Sequence, residues 1–199
     1  FASNPGFLKA AEYIQSLVDA DYFQEGAAGS VFPSAQALFV QGEAGMLFCG
    51  AWIPTEMASQ TPETMDMKMF ALPVLPDSVS ERHEEMWANC FALTADGKNK
   101  QNAINFLKVF SSMGVQQAKS DLKNPSPLIG APAVEELDNV EQIVSNATSV
   151  STIYGGTATY SEWYTSVFGP TCTKLITGVL DAEGFIAELD TLTADFYAE

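Results

Sequence analysis

The stretch Ala37-Leu38-Phe39-Val40-Gln41-Gly42-Glu43-Ala44-Gly45-Met46-Leu47-Phe48-Cys49-Gly50-Ala51-Trp52 decides the reading of the fold. Pro33-Ser34 opens a short helix predicted over 35–41, and Gly42 closes it, because a residue without a Cβ suits the left-handed turn after a helix. Residues 45–50 form an apolar run bounded by glycines and too short for a helix, so they read as a buried strand. Ala51-Trp52-Ile53-Pro54 then leads into a second short helix ending near residue 59. Trp52 therefore falls where a strand gives way to a helix, a place where side chains tend to line clefts.

On the N-terminal side, Asn4 and Pro5 mark a helix start, and Phe7, Leu8, Ala11, Ile14, Leu17 and Val18 recur at helical spacing to about residue 20. The glycine-rich segment 26–29 reads as a loop. On the C-terminal side, 67–72 is a further apolar run halted by Pro73 and Pro76, which predicts a strand with a stiff exit. A charged surface loop is predicted over 77–85, and a third strand over 86–94. Asp96-Gly97 turns the chain into a helix carrying Ala103, Ile104, Leu107, Val109 and Phe110, followed by a short helix over 113–120. Residues 124–132 hold three prolines and read as a linker or crossover. Helices are predicted over 133–137 and 141–148. Another follows over 159–177, with a kink or break at Gly169-Pro170. The last spans 182–197, with an apolar face of Phe185, Ile186, Leu189, Leu192 and Phe196. Helices alternating with a few strands favour an α/β layout.

Composition narrows the function. With 199 residues, 47% of them hydrophobic, the chain is long enough to bury one core. Its 25 acidic against 9 basic residues give a formal charge of −16, which repels polyanions and argues against nucleic acid and anionic membranes as partners. Arg82 is the sole arginine, so a guanidinium clamp on phosphate or carboxylate lacks donors. A neutral ligand suits this surface better. Cys49, Cys90 and Cys172 lie far apart with no CxxC spacing, and read as buried thiols. No run reaches the ~18 apolar residues that a membrane helix needs. Phe1-Ala2-Ser3-Asn4-Pro5 shows neither an initiator Met nor the basic start of a signal peptide, so the chain reads as a piece of something longer.

Enzyme signatures are missing: there is no GxSxG, no phosphate-binding Walker loop and no HExxH. The single histidine, His83, sits among charges and reads as a solvated loop residue. No metal, cofactor or catalytic residue is therefore assigned. Carboxylates are abundant, a weak argument on an acidic surface, and a flanking pair of the glycosidase kind is the main route to a hydrolytic function. The tryptophans carry more information, since a flat aromatic surface matches the C–H face of a sugar ring while polar edges collect its hydroxyls. Trp52 is either such a platform or a plug between strand and helix. Trp163, with Tyr160, Val167 and Phe168 at helical spacing, is either a ligand contact or part of a core stripe. Trp87 beside Asn89 sets an aromatic plate and an amide at one strand edge, with a cross-strand core role as the alternative.

Phe39, Gly42, Ala44, Gly50 and Trp52 resemble the helix, strand and Gly-x-Trp turn of the family 1 extracellular solute-binding proteins, the maltose-binding-protein-like family of bacterial ABC sugar importers. Phe70-Ala71-Leu72-Pro73 is similar to that family's strand ending in Leu-Pro. Residues 87–94 and the helix 102–110, with Ala103, Phe106 and Leu107, are similar to a strand, turn and helix that follow. Tyr160-Ser161-Glu162-Trp163-Tyr164 resembles the aromatic stretch opening the penultimate long helix. The order and spacing hold over nearly all of the chain, and the family's own chain is roughly twice as long.

The resemblance implies a periplasmic-binding-protein-like fold of the two-lobe type II kind, with the ligand between lobes joined by crossing segments. Residues 1–87 would belong to the C-terminal lobe, 88–129 to the part returning to the N-terminal lobe, and 130–199 to the C-lobe helices. It implies a non-enzymatic, extracytoplasmic receptor, monomeric, lipid-anchored or periplasmic, that carries an oligosaccharide to ABC permease subunits. Trp52, Trp163, Trp87, Asn89 and Tyr160 are the implied ligand-binding residues. Trp87 departs from the glycine-rich crossing strand of many members. A protein-interaction module with an aromatic patch, or a fragment of a carbohydrate-active enzyme, are the rival expectations.

Overall fold

A computed structural model describes residues 1–72, 83–86, 90–134, 137, 139–151 and 159–198. The chain divides into two units, one of residues 1–32 and 153–199 and the other of residues 33–152. The first unit holds α1 (Pro5–Asp19), a run formed by α7 (Ser161–Trp163), a π-helical segment (Tyr164–Phe168) and α8 (Gly169–Ile176), and α9 (Ala182–Ala198). The second holds α2 (Ser34–Val40), α3 (Ile53–Glu56), β1 (His83–Glu85), α4 (Lys100–Phe110), α5 (Met113–Asp121), α6 (Val140–Ser145) and β2 (Ser149–Ser151). Helices dominate the described residues, and one small parallel sheet gives them an α/β character only in the coarsest sense.

Helix ends fall where the residues dictate. Asn4 caps α1 by accepting the Gly6 N–H at 2.9 Å, and Pro5 occupies the first turn, where an N–H would have no partner. Gly42, at φ 79°, ends α2: its N–H donates to the Phe39 carbonyl and that of Glu43 to Leu38. Gly178 ends α8 through the same pair of bonds, to Leu175 and Lys174. Asp21 and Lys123 close α1 and α5 in the same left-handed conformation, at φ 56° and 62°, although each carries a Cβ. Asp181 accepts the Gly184 N–H at 2.7 Å, and Gln15 of α1 accepts the Ala182 N–H at 2.8 Å, so the start of α9 is capped from two sides.

In the first unit, α9 packs on α1 and α8. Phe185, Ile186 and the fully buried Leu189 meet Ala11, Val167 and Leu175, with Leu192 and Phe196 at the margin, as the 3.6-residue spacing of α9 predicts. Thr171 is wholly buried, and its hydroxyl donates to the Val167 carbonyl at 2.7 Å. The disruption expected at Gly169-Pro170 takes the form of the π segment. Pro170 has no N–H to give the preceding turn and its ring crowds the carbonyl there, so the turn before it widens and the helix carries on.

In the second unit, Val40, Ile53, Met57 and Met67 form the core, with Leu47, Cys49 and Met65 packed against it. Among the described residues, none of the three strands expected here is a strand. Residues 45–50 are extended, with Leu47 and Cys49 turned to the core and Met46 and Phe48 exposed at 75% and 81%. Residues 67–72 repeat the alternation: Met67 is buried, while Phe70 and Leu72 stand out at 61% and 62%. Residues 90–94 are exposed and in no strand, and 87–89 lie outside the described residues. The period of two is therefore present although, among the described residues, neither segment is paired in a sheet. The paired strands lie elsewhere. His83–Glu85, expected within a surface loop, pairs in parallel with Ser149–Ser151, with His83 opposite Ser149 and Glu85 opposite Ser151.

Other expectations fare variously. Residues 124–132 are irregular but pinned to α5: Ser126 donates to the Gln116 side-chain oxygen at 2.7 Å and Ser120 to the Pro132 carbonyl at 2.8 Å. Part of the helix expected over 133–137 lies outside the described residues. The cysteines form no disulfide, but buried is the wrong description of them, since Cys90 is exposed and Cys49 and Cys172 are half-buried. Burial raises the pKa of the Cys172 thiol.

Leu189→Ala is expected to cost about 2–5 kcal/mol in urea unfolding, because it leaves a cavity where three helices meet. Lys123→Gly is expected to raise stability by about 0.5–1 kcal/mol in the same assay, since glycine takes the left-handed conformation without a Cβ clash.

Candidate functional site

The turn that joins the extended segment 45–50 to α3 is built around Gly50. A methyl group added there would lie 1.8 Å from Cζ3 of Trp52, 2.3 Å from Cε3 and 2.4 Å from Cη2. The six-membered ring of Trp52 thus rests directly on the Gly50 backbone, and glycine is the one residue that leaves room for it. Trp52 also founds α3: its carbonyl accepts the Thr55 and Glu56 N–H groups at 3.2 and 3.0 Å. Ile53 and Pro54, the first two residues of α3, are buried and fix the helix start. Trp52 so held is 41% exposed as a residue. Trp52 is thus packed against backbone on one side and partly exposed.

Gln36 on α2 reaches beneath this turn. It is only 2% exposed, and its Nε2 donates to Glu56 Oε2 at 3.0 Å and lies 3.9 Å from Cys49 Sγ. Its Oε1 is buried with no donor among the described residues. The sequence reading passed over Gln36. The signal was its place at helical spacing from Val40, in the apolar stripe of α2, where a polar side chain needs a reason.

Trp163 belongs to the other unit and behaves as a core residue. Its Nε1 donates to Thr193 Oγ1 on α9 at 3.0 Å, its ring stacks on Phe1 at 6.0 Å between centroids, and Phe168 lies at 5.5 Å. The polar handle of the indole is used inside the fold, as a packed tryptophan requires. Tyr160 precedes α7 and is exposed. Trp52 thus lies in one unit, Tyr160 and Trp163 in the other. Trp87 and Asn89 fall outside the described residues. Among the described residues no cluster of three or more His, Cys, Asp or Glu could hold a metal ion, and no helix is long and apolar enough to cross a membrane.

No protein-family model matches the chain, and no curated protein sequence matches it.

Gly50→Ala is expected to push the Trp52 ring off its seat. The tryptophan emission should shift by an amount absent in a Trp52→Phe background, with a stability loss of about 1–3 kcal/mol from overpacking. Unchanged emission in Gly50→Ala would mean that ring and backbone do not meet.

Proposed function

We propose that this chain is the C-terminal part of a carbohydrate-binding component of an ABC importer, a family 1 extracellular solute-binding protein with a two-lobe, type II fold. The observation that carries the reading is the Trp52 plate. A flat indole face, braced by Gly50 and left partly open at a helix start, suits the C–H face of a pyranose ring. The order of the motifs around Phe39, Gly42, Phe70, Ala103 and Tyr160 supports the same family. The acid-rich composition favours a neutral ligand over an anionic one. On this reading the lobe assignment over 1–87, 88–129 and 130–199 holds, the receptor works outside the cytoplasm as a monomer, and permease subunits receive the sugar. Trp52 is its principal contact and Tyr160 a secondary one. Trp163 acts by holding α7 to α9, and Trp87 and Asn89 remain contacts implied by the resemblance.

A second reading, a protein-interaction module, is favoured by the exposure of the large apolar side chains of Met46, Phe48, Phe70 and Leu72 on the second unit. One experiment separates the two. Calorimetric titration of the full-length protein with a panel of oligosaccharides is expected to find a ligand, and Trp52→Ala to weaken it at least about tenfold. The 199-residue chain alone is expected to bind it weakly or not at all. No heat with any sugar would remove the carbohydrate reading in favour of the interaction module.

A further inference from the structure

We propose that Gln36 is a positioning residue that sets the angle of the Trp52 plate; the consequence for sugar affinity rests on the carbohydrate reading above, whereas the effect on the ring does not. One amide nitrogen faces both sides of the turn. From α2, Gln36 Nε2 donates to Glu56 Oε2, on the last residue of α3, and also faces Cys49 Sγ, on the residue before Gly50. Glu56 in turn donates its own N–H to the Trp52 carbonyl. A short chain of bonds therefore runs from α2 through Glu56 to the backbone that carries the indole. The Cys49 contact holds the strand-like segment on which the ring lies.

The side chain is a poor choice for packing alone. Its Oε1 is buried with no donor among the described residues, and a buried amide oxygen left so is costly, whereas an apolar side chain of the same shape would bury there without loss. Methionine has that shape and buries without a hydrogen-bonding demand. A glutamine in this place is accounted for by what its nitrogen holds. Because α3 is only four residues long, it has few bonds of its own to fix its direction, and the bond at Glu56 falls at its far end.

The test is the ¹⁹F spectrum of the protein labelled with 5-fluorotryptophan, with the Trp52 resonance identified by its loss in Trp52→Phe. Gln36→Met is expected to shift or broaden that resonance while the Trp163 resonance stays in place and Tm changes by no more than about 4 °C. Glu56→Ala removes the same bond from the exposed end of the pair, and it is expected to give the same selective change. It decides the matter if Gln36→Met does not fold. A Trp52 resonance unmoved in both variants, or one that moves only together with that of Trp163, overturns the proposal. In the oligosaccharide titration, Gln36→Met is expected to weaken binding about tenfold. If the Trp52 resonance moves and no sugar binds, the positioning role stands and the carbohydrate reading falls.

Discussion

A helix settles its backbone hydrogen bonds within itself, whereas a strand settles them only against another strand, and this difference governs the whole structure. The first unit consists of helices, and its stability reduces to burying one face of α9 against α1 and α8 around Leu189. The second unit mixes short helices with extended segments. There the core around Val40, Ile53, Met57 and Met67 is sealed on one side by residues 45–50 and 67–72, which pack through alternate side chains and leave the others outward. Both segments have the side-chain geometry of strands. Among the described residues neither is paired in a sheet.

The same distinction explains how much was legible in the sequence. Helices α1, α2, α4, α5 and α9 were readable because apolar spacing, Asn4, Gly42 and the Asp96-Gly97 turn are local signals that local bonding satisfies. The alternation in 45–50 and 67–72 was equally readable as a pattern, but a pattern of two says which face is inside and not whether another strand is present. The sheet that does form, His83–Glu85 with Ser149–Ser151, joins segments more than sixty residues apart, one charged and one rich in serine. Neither has the apolar alternation that marks a strand, and only their long-range pairing defines them. At Pro170 the reading foresaw a disruption but not its form, since a π turn arises from how neighbouring carbonyls share out the missing donor.

Among the candidate site residues, position in the chain proved a partial guide. Trp52 and Trp163 looked alike as tryptophans near aromatic or apolar neighbours. What separates them is the partner of each ring. Trp52 rests on a glycine two residues away, a relation already visible in Gly50-Ala51-Trp52, whereas Trp163 depends on Thr193, thirty residues further on. Gln36 escaped notice because a lone glutamine in a short helix carries no motif, and its importance comes from Glu56 and Cys49 meeting it in space.

The outward rows Met46, Phe48, Phe70 and Leu72 also bear on how the protein behaves in bulk solution. Segments that expose alternate apolar side chains are natural templates for association between molecules. The formal charge of −16 keeps identical molecules apart at neutral pH, so the acidity that turns away polyanions also guards these segments. That guard weakens as the carboxylates take up protons and vanishes near the isoelectric point of about 4.2. Mild acid and high salt are thus the conditions in which the repulsion between molecules is weakest.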